Sequence, residues 1–203
     1  MTTKIWKPTD NTDRGEKIAI RRRLLGAIGS PSVLECFAGE GKIWQELYRD
    51  LPYLGLDLKA ISDERPLVRM DNRQYLRSAD LSPFNFFDLD AYGSPWHQFL
   101  IVLHRRLIQP GEKIAVALTD GLDFKMRMSG LPDGMRSFLN LPKGMNVPCL
   151  NLHHEFIAKL IIRKACVRYG LTVDQAFAGN NPRKNMLYIG LIISKKCCKI
   201  NGL

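Results

Sequence analysis

The chain has 203 residues, of which 45% are apolar and 25% charged, a composition suited to a folded domain that buries a core without disulfide or metal staples. Lys and Arg outnumber Asp and Glu by 30 to 20, giving a formal charge of +10 that favours a polyanionic partner, here nucleic acid (RNA or DNA). No apolar run reaches the roughly 18–20 residues of a membrane span, and the polar N-terminus has no signal core, so no membrane association and a cytoplasmic location are expected.

Residues 14–28 read as a helix carrying Arg21-Arg22-Arg23, a basic run suited to phosphates near a cofactor mouth. Ser32 to Ala38 is an apolar strand between Ser30-Pro31 and Gly39. Lys42 to Asp50 follows as a helix, with Ile43, Leu47 and Leu51 at helical spacing. Tyr53 to Asp57 and Leu67 to Met70 are the second and third strands, and a helix is expected over Arg73 to Ala79. Phe84 to Leu89 is nearly all apolar, as a central parallel strand is. Pro95 to Ile108 reads as a helix with Pro in its first turn, and Lys113 to Thr119 as the fifth strand.

From Asp120 to Asn151 the pattern loses its period and becomes rich in Gly, Pro and Met, so 120–151 is expected to be a lid or substrate-recognition insertion. Leu152 to Tyr169 is a helix closed by Gly170. Leu171 to Phe177 and Asn185 to Ser194 then form an antiparallel hairpin across Gly179-Asn180-Asn181-Pro182. The alternation of strands and helices predicts a doubly wound α/β sheet, mostly parallel, in one domain spanning 1–203.

The first strand ends in Glu35-x-x-x-Gly39-x-Gly41, where the backbone must turn sharply and admit a ligand closely. Glu35 suits a cofactor with a cationic amino group. A nicotinamide site needs Gly-x-Gly-x-x-Gly to seat a pyrophosphate, whereas Trp44 stands where close packing is required. Asp57 ends the second strand, placed to accept hydrogen bonds from ribose hydroxyls, and Asp71-Asn72 follows the third. The plainer reading of Asp57 and Asp71 is turn chemistry at strand ends. The five cysteines include no Cys-x-x-Cys pair, so no zinc site or disulfide framework is expected. His153-His154 point in different directions on a helix start and read as a cap or surface feature.

The fourth strand ends in Asp88-Leu89-Asp90-Ala91-Tyr92-Gly93-Ser94-Pro95. A carboxylate there can accept the hydrogens of an amine whose lone pair is delocalised into a ring, and an aromatic residue can stack on that ring. Asp88 shares a side of the strand with Asp90. These eight residues resemble the Asp-x-Asp-Pro-Tyr/Phe-Gly-Ser/Thr motif of the dimethylguanosine tRNA methyltransferases, with Ala91 in place of Pro. The cofactor turn and the closing hairpin resemble the wider class I S-adenosylmethionine-dependent methyltransferases.

This resemblance implies a Rossmann-like sheet of seven strands with the last inserted antiparallel. It implies S-adenosylmethionine as cofactor, bound through Glu35, Phe37, Gly39, Gly41, Asp57, Asp71, Asn72 and Asp88, with Asp90 and Tyr92 as catalytic residues. It also implies methylation of an exocyclic amine of a nucleobase, RNA favoured over DNA, without a metal. Asp120 and Phe124 are candidates to line a base pocket, a loop cap being the alternative. Lys125, Arg127, Arg136, Lys143, Arg163, Lys164, Arg168, Arg183 and Lys184 are candidates for phosphate contacts. A non-catalytic binding module built on the same fold, and a small-molecule or protein methyltransferase, are the competing readings.

Overall fold

The computed structural model describes residues 14–122, 126, 130–142 and 150–195. Phe124, Lys125, Arg127 and Lys143 lie outside the described residues. The strands are β1 (Val33–Glu35), β2 (Tyr53–Asp57), β3 (Leu67–Arg69), β4 (Phe86–Leu89), β5 (Lys113–Asp120), β6 (Leu171–Asn180) and β7 (Leu187–Lys195). They form one sheet in the order β3-β2-β1-β4-β5-β7-β6. The first five strands are parallel, and β7 runs antiparallel to both β5 and β6. The expected parallel sheet with an inserted antiparallel strand is therefore the one observed.

The helices are α1 (Gly15–Ala27), α2 (Asn72–Ser78), α3 (Trp96–Arg105), α4 (Asp133–Leu139) and α5 (His154–Tyr169). Alternation along each strand sends successive side chains to opposite faces. Val33, Phe86, Ala115, Ala117 and Ile192 face one side, where they meet Ile20 and Leu24 of α1 together with Trp44 and Tyr48. Leu34, Phe87, Leu89, Val116 and Leu118 face the other, against Leu76 of α2, Phe99 of α3 and Ile161 of α5. Each large apolar side chain enclosed this way contributes about 1.5–3 kcal/mol. No helix among the described residues is long and apolar enough to cross a membrane.

Four features differ from the sequence reading. The helix expected over Lys42 to Asp50 contains a π-helical turn, Trp44–Tyr48. Its i→i+5 winding faces Trp44 and Tyr48 inward together, and Tyr48 is fully buried. β1 is shorter than Ser32 to Ala38, although Cys36 N–H still donates to Asp88 O at 2.9 Å and Ala38 N–H to Leu56 O at 3.0 Å. The aperiodic 120–151 stretch holds a short helix, α4, hidden in the sequence by Gly134 inside it and closed by Asn140 in the left-handed conformation. The hairpin turn also sits later than expected: β6 runs through Asn180, and the side-chain oxygen of Asn181 accepts from Asn185 N at 3.0 Å and Met186 N at 3.1 Å.

Candidate active site

The strand order reverses beside β1, so the carboxyl ends of β1, β2 and β4 open onto one crevice. In register, Glu35 of β1 lies opposite Gly55 of β2 and Asp88 of β4. Gly39 and Gly41 both adopt positive φ, 44° and 73°. At the end of β2, Asp57 Oδ2 accepts from Gly39 N–H at 2.9 Å, and Oδ1 accepts from Lys59 N–H at 2.8 Å. The glycine turn and the β2 acid, read separately from the sequence, are thus bonded to each other. Each Asp57 oxygen keeps a lone pair for a further donor.

Arg65, which carried no sequence signal, braces this turn. Its guanidinium donates to Ala38 O and Gly39 O, both at 2.8 Å, and pairs with Asp63 at 2.7 Å. A Cβ at position 41 would lie 2.7 Å from Arg65 Cζ, so glycine is required there by contact as well as by φ. Phe37 packs partly buried against the α2/α3 side of the core.

Beneath the turn lies a buried polar cluster. Arg21 is 1% exposed and grips Asp88 with two bonds, Nε to Oδ2 at 2.7 Å and Nη2 to Oδ1 at 2.6 Å. Tyr48 Oη donates to the same Asp88 Oδ2 at 2.6 Å. The expected phosphate-contacting role of Arg21 is therefore corrected: its side chain faces the core because it falls on the apolar face of α1 with Ile20 and Leu24. Arg22 and Arg23 remain on the outside, Arg22 paired with Glu46 and Arg23 over the Phe177 ring. Burial opposes the charge on Arg21, and Asp88 outweighs it, holding the guanidinium firmly protonated.

Glu35 is 2% exposed and accepts a 2.5 Å hydrogen bond from Tyr53 Oη. Burial, then the neighbouring Asp88, push its carboxyl well above the ordinary range. Its carboxyl is engaged inside the protein, against the expectation that it meets a cationic amino group directly. Asp71 is the N-cap of α2, accepting from Gln74 N–H at 3.0 Å, which is the turn-chemistry alternative. Asn72 donates to Cys36 O at 2.7 Å and accepts from Gln98 at 2.9 Å, tying α2 and α3 to the end of β1.

Past β4, Asp90 Oδ2 lies 2.5 Å from Lys17 Nζ, and Oδ1 lies 3.9 Å from Arg21 Nη2. Burial raises the Asp90 carboxyl, but Lys17 and then Arg21 lower it by more, so it stays ionised below its ordinary range. Tyr92, two residues on, is 72% exposed. Gly121 N–H donates to Gly93 O at 2.8 Å, fastening this loop to the end of β5. A cavity of about 320 Å³ opens beside Gly93 and Ser94, walled by Trp96, Leu122, Met135 and Phe138.

Asp120 is fully buried: Oδ1 caps Leu122 N–H at 3.0 Å and Oδ2 accepts from Trp96 Nε1 at 2.6 Å. The loop-cap reading of Asp120 is the one observed. His154 departs from the cap-or-surface reading: it is 8% exposed, with Nε2 2.9 Å from Asp120 Oδ2, close but out of line for a good hydrogen bond, and the N-cap position falls to His153. His154 opens α5 where that helix meets β5, so its ring packs inward. Arg163, Arg168, Arg183 and Lys184 are exposed. Arg136 donates to Leu131 O at 3.0 Å, and Lys164 lies over the Phe138 ring.

No family description and no curated relative matches the chain by sequence. Solved structures do match its shape. The N-methyltransferase NodS from Bradyrhizobium japonicum superposes with a TM-score of 0.54 at 12% identity, covering 92% of this chain and 99% of that one. A putative methyltransferase, yhhF, from Escherichia coli matches with a TM-score of 0.52 at 12% identity, over 94% and 90% of the two chains. The fold is that of the class I methyltransferases. A further match is a Burkholderia thailandensis 1,6-didemethyltoxoflavin-N1-methyltransferase solved with S-adenosylhomocysteine, with a TM-score of 0.50 at 12% identity over 92% of this chain and 80% of that one.

Proposed function

We propose that the chain is an S-adenosylmethionine-dependent methyltransferase acting on an exocyclic amine of a nucleobase in nucleic acid, RNA in preference to DNA. The observation that carries the reading is the Gly39–Asp57 hydrogen bond at the switch point, beside a β4 loop that presents Asp90 and an exposed Tyr92. The residues present fit the cofactor. Gly39 leaves room along the backbone, Asp57 retains lone pairs for two ribose hydroxyls, and Phe37, two residues before Gly39, is only partly buried. Asp71 caps α2 and Asn72 ties that helix to the end of β1, while Glu35 and Asp88 are buried beneath the turn. The bound cofactor supplies a methyl group already activated on a sulfonium, so no metal is required.

This chain's residues do the rest. Tyr92 offers a face on which a base can stack, with about 1–3 kcal/mol available from such a contact. The ionised Asp90 accepts an amine hydrogen and orients the nitrogen lone pair toward the methyl carbon. Asp90 and Tyr92 together would hold that nitrogen in line with the methyl group that the sulfonium would supply, the neutral thioether being its leaving group. The nitrogen then loses its extra proton to water.

The formal charge of +10 supports a nucleic-acid substrate. The loop departs from the Asp/Asn-Pro-Pro-Tyr/Phe pattern of adenine-methylating DNA enzymes, which supports RNA. The Lys17–Asp90 pair favours a second reading, a non-catalytic nucleic-acid-binding module, because the carboxylate already has a partner. Methyl-labelled S-adenosylmethionine incubated with total RNA and total DNA separates the two. Transfer to RNA that Asp90→Ala abolishes supports the enzyme. Nucleic-acid binding with no transfer supports the module.

A further inference from the structure

The two carboxylates at the end of β4 are matched by two cations from one turn of α1. Lys17 and Arg21 are spaced i, i+4 and so share a helix face. Lys17 meets Asp90 and Arg21 meets Asp88, with Arg21 also 3.9 Å from Asp90. We propose that Lys17 and Arg21 determine acceptor specificity, neutralising Asp88 and Asp90 so that the site takes an uncharged amine, such as the NH2 of a nucleobase, and rejects an aliphatic ammonium. The proposal rests on the reading of Asp90 as the group facing the acceptor.

Among the described residues, the buried groups coupled to the pair, Cys36 included, are pushed toward their neutral forms. From β1, Glu35 is pushed toward its neutral form by burial and by Asp88. Tyr48 from the π turn and Tyr53 from β2 are held neutral, burial being the largest cause for each. The cluster therefore presents no surplus negative charge. A methylammonium-type substrate gains from a net negative site, which keeps it bound while a base removes its proton. Here an incoming cation at Asp90 meets the Lys17 ammonium already 2.5 Å from Oδ2.

An uncharged amine suffers no such repulsion. Asp90 Oδ1, whose cationic neighbour stands at the longer 3.9 Å, keeps lone pairs for an N–H donor. Lys17 thus acts on the acceptor through Asp90, as a positioning residue. Arg21 fixes the strand beneath it by holding Asp88.

The test assays labelled S-adenosylmethionine with two acceptors, stripped total RNA and putrescine, using wild type, Lys17→Met and Lys17→Arg. Wild type is expected to label RNA and not putrescine. Lys17→Met is expected to lose roughly tenfold to a hundredfold in kcat on RNA, with the KM for the cofactor unchanged. The acid limb of its pH profile is expected to move to higher pH, with putrescine labelling appearing, and Lys17→Arg is expected to restore the wild-type pattern. Putrescine labelled by wild type as fast as RNA, or Lys17→Met with unaltered kcat and pH limb, overturns the proposal. If wild type labels neither acceptor and binds no cofactor by calorimetry, the methyltransferase reading fails on its own. Carbon-13 titration of Asp90 then judges the charge pairing separately: a higher midpoint in Lys17→Met supports it, and an unmoved midpoint overturns it.

Discussion

Arg65 lies against Gly41 so closely that a methyl group on the glycine would stand 2.7 Å from its Cζ. The same guanidinium holds the carbonyls of Ala38 and Gly39. The β2–β3 connection and the β1 turn are therefore one unit, and the crevice proposed for the cofactor depends on both. Gly41→Ala is expected to destabilise the protein by about 1–3 kcal/mol, because alanine is strained at φ 73° and displaces Arg65. Thermal unfolding and calorimetric cofactor binding should both weaken. A wild-type melting temperature with intact binding contradicts the bracing role.

Asp57→Ala removes the acceptor of Gly39 N–H and, with it, the carboxylate proposed to hold the ribose hydroxyls. Cofactor affinity is expected to fall about tenfold or more, from the loss of roughly 1.5 kcal/mol or more of hydrogen bonding to a charged acceptor. Folding should change little, since Asp57 sits at the crevice edge. Calorimetry with S-adenosylmethionine checks this, and unchanged affinity contradicts it.

Arg21→Met leaves the Asp88 carboxylate buried without its cation, which costs about 3–5 kcal/mol. Arg21→Met combined with Asp88→Asn removes both charges and should be distinctly less destabilised than Arg21→Met alone. Denaturant unfolding of wild type, Arg21→Met, Asp88→Asn and the double variant measures the coupling. Additive losses contradict a direct charge pair.

Glu35 and Asp90 bend the pH dependence of stability in opposite senses. Glu35 has a raised folded-state value, so its contribution is fully present below the ordinary carboxyl value of 4.5 and is lost as pH rises through the folded value. Glu35→Gln, which keeps an oxygen for Tyr53, should match wild type in acid and become progressively more stable than it above that pH. A constant difference at all pH values contradicts the internal, protonated placement of Glu35.

Asp90 has a lowered folded value, so its contribution is present above the unfolded aspartate's ordinary value of 3.8 and disappears as pH falls through the folded value. Asp90→Asn should therefore flatten the acid arm of the stability curve. An unchanged acid arm contradicts the Lys17–Asp90 pair.

The strands and the switch point were legible because buried parallel strands are short apolar runs and glycine marks the turn after β1. The β7 insertion followed from the hairpin and a resemblance, not from periodicity. Asp57 and the glycine turn were both placed at strand ends by sequence, and the structure bonds them to each other. Arg21 and Arg65 were missed because a buried arginine looks like a surface one until its partner is known. Asp88 was in plain view as that partner, but sixty-seven residues separate it from Arg21. Glu35 was read by its type alone. Its fate is decided by Tyr53 and Asp88, on the two strands flanking its own.

The most direct measurement is nucleoside analysis after transfer. Total RNA incubated with the protein and methyl-labelled S-adenosylmethionine is digested, and the labelled nucleoside is identified by mass spectrometry. Label is expected on an exocyclic nitrogen of a base, lost in Asp90→Ala while RNA binding persists. Label on a ring carbon or a ribose oxygen, or no label in any RNA or DNA pool despite cofactor binding, contradicts this expectation.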